Sequence, residues 1–298
     1  MNLAGIYAAS ITPLLPDYSL DLSSVQPLLD FFYRRGCHGA LLFGTTGEGP
    51  SFSPDERLAF LKEALTTRQQ HAGFRLLAGT GTPSLEETIS LTRAAFDLEI
   101  DGVVVLPPYY FRSVNDDGLF AWFSEVLRKA VPPEGVFLGY HIPKITGVNL
   151  SIELLARLKD AFPDQFTGIK DSSGDALFSE QLGKEFGKEL LVLTGNDILL
   201  NHALEHNASG CITAMANLCS PDSRRVWDSF HSGRPDAGAQ ERLIQARKVL
   251  DRYPPAPPFV KALLAKLYDF PAWSTRPPLL PLPNEIIEKV ADEFALVG

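Results

Sequence analysis

Long apolar runs are missing from this 298-residue chain. No stretch reaches the roughly 18 consecutive apolar residues that a membrane-spanning helix requires. Cysteine is scarce too. Cys37, Cys211 and Cys219 form no CxxC pair and are odd in number, which argues against a disulfide framework and reads as buried thiols in a reducing compartment. Positive charge is the minority sign: 27 Lys and Arg stand against 36 Asp and Glu, a net charge of −9, with the basic residues dispersed. No nucleic acid or membrane partner is therefore expected. There is no GxxxxGK[ST] phosphate loop, HExxH motif, paired His/Cys cluster or acidic cage, so no metal or other cofactor is expected. The N-terminus, Met1-Asn2-Leu3-Ala4-Gly5, lacks a basic segment leading into an apolar stretch, and the expected location is cytoplasmic.

What the chain does have is a large apolar fraction, 45% against 21% charged residues, enough for a sizeable core. Short apolar runs recur with longer amphipathic segments between them, the pattern of repeated βα units. Eight strands are predicted: Ile6 to Ile11, Ala40 to Phe43, Arg75 to Ala78, Gly102 to Leu106, Val136 to Tyr140, Phe166 to Lys170, Leu190 to Leu193 and Gly210 to Thr213. Ser53-Pro54-Asp55-Glu56 places a capping serine before a first-turn proline and two acids. Thr82-Pro83-Ser84-Leu85-Glu86-Glu87 repeats that arrangement, and Ser151 opens a helix running to about Ala161. Eight parallel strands with crossover helices imply an α/β fold, a (β/α)8 TIM barrel, whose length fits the roughly 250 residues such barrels occupy. Residues 1–233 are assigned to the catalytic barrel. Residues 234–298 form a C-terminal helical extension, with helices expected at Gln240 to Tyr253, Phe259 to Leu267 and Asn284 to Phe294, separated by Pro-rich breaks.

Lys170 is the residue hardest to explain as decoration, because it ends the mostly apolar run Phe166-Thr167-Gly168-Ile169. At the carboxyl end of a barrel strand, apolar neighbours would disfavour its ammonium form and make it a nucleophile toward carbonyls. The other reading is a lysine that snorkels from a strand end. Tyr140 closes another apolar strand, either as a buried hydrogen-bond anchor or as a group shuttling protons to a carbinolamine. Gly44-Thr45-Thr46-Gly47 is either a structural turn or a cradle of backbone N–H groups and hydroxyls suited to a carboxylate. His141, next to Tyr140, should face the helices by strand alternation, and Glu48 could orient the loop or act as a base but reads best as an acid at a helix start.

These motifs occur together and in order: Gly44-Thr45-Thr46-Gly47-Glu48, Pro108-Tyr109-Tyr110, Tyr140-x-x-Pro143-x-x-Thr146-Gly147, Gly168-Ile169-Lys170 and Gly195-Asn196-Asp197. In this the chain resembles the dihydrodipicolinate synthase / N-acetylneuraminate lyase superfamily from Ile6 to about Pro283. The resemblance implies a class I, pyruvate-handling enzyme with Lys170 as Schiff-base lysine, Tyr140 as proton shuttle and Thr45 as its hydroxyl partner. It further implies that Thr46, with the Gly44 and Gly47 loop, holds the pyruvate carboxylate, and that Gly195 and Ile212 line the pocket. Tyr110 matches a tyrosine that reaches into a neighbouring subunit, and a homotetramer, a dimer of dimers, is the expected partner state.

One departure bears on the second substrate. Where the synthases carry an arginine two residues beyond the proline, this chain has Ile145, which cannot form the bidentate pair a carboxylate receives from a guanidinium. That favours an aldolase (lyase) acting on a 2-keto-3-deoxy sugar acid or related 4-hydroxy-2-oxo acid, with pyruvate and an aldehyde as products. The alternatives are a synthase condensing pyruvate with aspartate semialdehyde, a decarboxylating or dehydrating relative, and a binding protein that has lost turnover.

Overall fold

The computed structural model describes residues 3–296; Met1 and Asn2, where the N-terminal segment assessed for a leader begins, lie outside the described residues. Eight strands close into a barrel in sequence order: β1 Gly5–Ala9, β2 Gly39–Leu42, β3 Arg75–Gly79, β4 Gly102–Val105, β5 Phe137–His141, β6 Phe166–Asp171, β7 Leu191–Thr194 and β8 Gly210–Thr213. Adjacent strands run parallel, as between β5 and β6 and between β6 and β7. The protein is thus a TIM barrel, and no strand boundary differs by more than two residues from that expected. The runs were legible because strands covered on the outside by helices are apolar almost throughout: β1, β2, β4, β5 and β8 are buried at every position.

Several crossover helices begin where a side chain satisfies a free amide. Ser53 caps α2 (Pro54–Gln70) in a reciprocal capping box with Glu56. Ser151 caps α6 (Ile152–Ala161) through the Leu154 N–H. The expected Thr82 start is displaced. Ser84 caps α3 (Leu85–Asp97) by accepting from the Glu87 N–H, while the Thr82 hydroxyl is spent on the Ser84 carbonyl at 3.0 Å. The other helices between the strands and after β8 are α1 (Val25–Arg34), α4 (Asp116–Ala130), the one-turn α5 (Pro143–Thr146), α7 (Ala176–Phe186), α8 (Leu200–Glu205) and α9 (Ala216–His231).

Two compact units make up the chain. One comprises residues up to Gly5 with Arg75–Cys211, the other Ile6–Phe74 with Ile212–Gly298. In the first, Phe123 of α4 meets Phe137 of β5 edge-on at 6.0 Å, and Phe137 meets Phe166 of β6 at 6.1 Å. In the second, the Asn217 side chain of α9 donates to the Ala9 carbonyl at 2.7 Å and accepts from the Ile11 N–H at 3.2 Å.

The second unit also carries the appended helices α10 (Ala237–Asp251), α11 (Ala256–Tyr268) and α12 (Asn284–Ala295). Pro257 and Pro258, expected as a break, instead form the first turn of α11, where a missing N–H costs nothing and the fixed φ suits the helix. Among the described residues no helix is long and apolar enough to cross a membrane. Cys37, Cys211 and Cys219 are buried and form no disulfide among the described residues, and burial pushes the Cys37 thiol up to about 12.

Candidate active site

Strand register brings Lys170 and Tyr140 together. The two are aligned partners across β5 and β6, each is only 3% exposed, and the Lys170 Nζ lies 4.2 Å from the centroid of the Tyr140 ring. One residue further along each strand the side chains point the other way. His141 Nδ1 lies 3.1 Å from Asp171 Oδ1, and the His141 ring packs 4.6 Å from Phe178 on α7. His141 therefore faces the helices, as alternation requires. The pairing of an amine with a phenol ring in one buried layer limits the rotamers open to both.

Gly195 follows β7 and is a glycine for a steric reason. A Cβ there would lie 1.9 Å from Ser172 Oγ, and its N–H donates to the Asp171 carbonyl at 2.6 Å. Ile212, on β8, is fully buried.

In the other unit, the loop after β2 is held by its own backbone. Glu48 and Gly49 donate their N–H groups to the carbonyls of Thr45 and Gly44 at 3.2 and 3.1 Å, and the Thr12 hydroxyl donates to the Gly47 carbonyl at 2.7 Å. Gly49 approaches so closely that a Cβ would sit 2.1 Å from the Phe43 carbonyl oxygen. The N–H groups of Thr46 and Gly47 have no protein acceptor among the described residues, although Thr46 is 94% buried by its 6% exposure. Two buried donors without acceptors are what a carboxylate needs.

Glu48 stands at a helix start as expected, the N-cap position of the 3-10 turn Gly49–Ser51, but its side chain does not cap that turn. It sits in the left-handed region at φ 55°, and its carboxylate is buried against Lys261 of α11, whose Nζ donates to Glu48 Oε1 and to the Ser274 carbonyl, each at 2.6 Å. The Arg276 N–H donates to the other carboxylate oxygen at 2.9 Å. Burial lowers the Lys261 ammonium pKa, opposed by the charge of Glu48. No local signal could have shown this pair, because its members are 213 residues apart.

Arg276 extends the bracket. Its guanidinium is paired with Glu56, donates to the Ser51 carbonyl at 2.7 Å and lies 4.3 Å over the Phe52 ring. Hydrogen bonding from Arg276 is the largest cause holding Glu56 down to about 2, from an ordinary 4.5. A carboxylate with a lowered folded pKa contributes stability that is complete above the unfolded value and is lost as pH falls. The melting temperature is therefore expected to fall between pH 4.5 and about 2, the window set by Glu56. The Arg276→Ala protein should show a shallower slope there in calorimetric scans; an unchanged slope would remove Glu56 as its source.

Tyr110 stands apart from the buried groups. It is 77% exposed on the loop after β4, with Phe111 at 72% exposed and the two rings edge-on at 5.3 Å. Ile145 on the α5 turn is also outward, 57% exposed. Sequence reading passed over Arg112. Its side chain lies against the same turn, so closely that a Cβ on Gly147 would meet Arg112 Cδ at 2.7 Å, and the left-handed φ of 67° at Gly147 supplies a second reason for glycine.

A buried lysine beside a tyrosine on adjacent strands of a parallel barrel marks the class I aldolase type of enzyme. The chain matches the Dihydrodipicolinate synthetase family over residues 2–295 and belongs to it. It is 38% identical over 282 residues to an uncharacterized DapA-like lyase of Chloroflexus aurantiacus, covering 94% of this chain and 92% of that one. It is similar to the dihydrodipicolinate synthase of Agrobacterium tumefaciens str. C58, with 32% identity, a TM-score of 0.88 and coverage of 98% and 99% of the two chains. The N-acetylneuraminate lyase of Proteus mirabilis shares the fold at 24% identity and a TM-score of 0.88, over 100% and 99% of the chains.

Proposed function

We propose that the protein is a Schiff-base aldolase that cleaves a 2-keto-3-deoxy sugar acid, or a related 4-hydroxy-2-oxo acid, to pyruvate and an aldehyde. The observation carrying this reading is the buried Lys170 amine against the Tyr140 ring at 4.2 Å. The Lys170 amine adds to the keto carbon and water leaves, giving an iminium. Removal of the 4-hydroxyl proton breaks the C3–C4 bond, the aldehyde departs, and the bonding electrons enter the iminium as an enamine. Protonation at C3 and hydrolysis then return pyruvate and the free lysine.

Tyr140 moves the protons in this scheme, with Thr45 as its hydroxyl partner. Thr46 and the Gly44 and Gly47 loop hold the keto-acid carboxylate, which the unoccupied N–H donors of Thr46 and Gly47 support. Gly195 and Ile212 shape the pyruvate pocket. Tyr110 and Phe111, exposed on one loop, suit contact with a second copy, in keeping with a homotetramer built as a dimer of dimers. The buried cysteines, none in a disulfide among the described residues, suit a cytoplasmic setting. Borohydride reduction in the presence of pyruvate, followed by peptide mass spectrometry, tests the imine: an adduct on Lys170 is expected, and folded protein with no adduct would defeat the proposal.

A second reading, 4-hydroxy-tetrahydrodipicolinate synthase, is favoured by Arg112, a guanidinium beside the α5 turn that could receive the carboxylate of aspartate semialdehyde. Ile145 argues the other way. A charge-assisted pair contributes about 1.5–3 kcal/mol, so Ile145→Arg is expected to raise kcat/KM for aspartate semialdehyde by roughly 10- to 100-fold. If the unaltered enzyme already condenses that aldehyde efficiently and loses the activity in Arg112→Ala, the synthase reading takes precedence.

A further inference from the structure

Glu180 on α7 and His202 and His206 at α8 place one carboxylate oxygen and two imidazole nitrogens within 4.8 Å of one another. We propose that these three side chains hold a divalent transition-metal ion of the zinc class, leaving the remaining coordination position to water. His202-x-x-x-His206 is a pair one helical turn apart, so the expectation that the chain lacks a paired His cluster does not hold for this segment. The third ligand comes from a different helix.

The donors are arranged for a metal more than for a simple ion pair. His206 Nδ1 lies 2.8 Å from the His202 carbonyl oxygen, so it is Nδ1 that carries the proton and Nε2 that is left as a lone-pair donor, the second-sphere arrangement usual for ligating histidines. His202 Nε2 lies 3.4 Å from Glu180 Oε1. That is long for a charged hydrogen bond, and it equals the roughly 3.4 Å edge of a tetrahedron with metal–ligand bonds of about 2.0–2.1 Å. The Ala176 carbonyl, also 3.4 Å from His202 Nε2, is the competing acceptor when no ion is bound. The rings of His202 and His206 are 4.5 Å apart, and all three side chains are half-exposed, free to close the remaining gap.

The two helices hold these ligands in fixed register. Gly183, one turn after Glu180 on α7, meets the backbone of His206 so closely that a Cβ would lie 1.9 Å from the His206 carbonyl oxygen. The Asn207 side chain also donates to the Gly183 carbonyl at 3.3 Å. Glu180 on α7, His202 on α8 and His206 at the α8 C-cap thus sit on backbones that touch, and an ion there would pin α7 to the end of α8.

The test titrates chelator-treated full-length protein with Zn2+, and with Co2+ for its visible spectrum, beside Glu180→Gln, His206→Ala and a Glu205→Gln control. Glu205 accepts from Asn201 at 2.8 Å and lies outside the ligand set. One ion per chain is expected with Kd below ~10 μM, weakened roughly 10- to 100-fold in each ligand variant and unchanged in the control. Saturating Zn2+ should raise the melting temperature of the unaltered protein and leave both ligand variants unmoved. Equal binding by the unaltered protein and both ligand variants, or no stoichiometric binding at ~100 μM, overturns the site.

Discussion

Lys170→Ala is expected to lose pyruvate-dependent turnover by at least about a thousandfold, a barrier increase of about 4 kcal/mol, while the barrel stays folded. The expectation rests on covalency: without the amine no iminium forms, and the C3–C4 bond has no electron sink. Folding should survive because alanine removes a buried amine and leaves no charged partner behind among the described residues, the neighbour of the amine being the Tyr140 ring. Steady-state cleavage assays, thermal melts and borohydride trapping read the three consequences separately. Activity within about tenfold of the unaltered enzyme, only about 1.4 kcal/mol, would sink the imine mechanism. Lys170→Arg is the sharper control, since it keeps a cation near Tyr140 and cannot form a Schiff base.

The second large effect lies far from Lys170 in sequence. Lys261→Met should destabilise the protein by about 3–5 kcal/mol, the range for stripping one member from a buried ion pair, because the Glu48 side chain is 0% exposed and Lys261 only 2%. That corresponds to a melting temperature lower by roughly 5–8 °C for a chain of this size. Glu48→Gln combined with Lys261→Met should recover most of the loss, since the pair is then replaced by groups without net charge. Where the single variant folds, KM for the keto acid should rise more than kcat falls, because Glu48 adjoins the loop carrying Thr45 and Thr46. A change under about 1 kcal/mol would place the pair among salt bridges whose desolvation cancels their attraction.

Much of the architecture could be read from the chain because it is written locally. The eight strands are short apolar runs bounded by turn residues, and Ser53 and Ser151 cap their helices as their neighbours predict. Lys170 was legible for the same reason: a cation closing an apolar strand is anomalous within six residues. The failures share a different origin. Thr82 and Ser84 are both competent caps, and only the turn geometry decides between them. Pro257 and Pro258 can either end a segment or begin a helix. The Glu48 bracket and the Glu180 contribution to the histidine cluster depend on elements remote in sequence. Arg112 lies against Gly147, 35 residues along the chain, where both the close approach and the left-handed backbone call for glycine.

The link between Glu48 and Lys261 also constrains biosynthesis. Chains emerge N-terminus first and fold as they emerge. The loop after β2 is therefore made early, yet its acid has no counter-ion until a lysine 213 residues downstream has been translated. A nascent chain arrested before α11 would hold an unanswered carboxylate at the heart of that loop. Such a ribosome-bound intermediate should resist completing the loop's native arrangement until the last few dozen residues arrive, which makes the C-terminal helices a late checkpoint on competence.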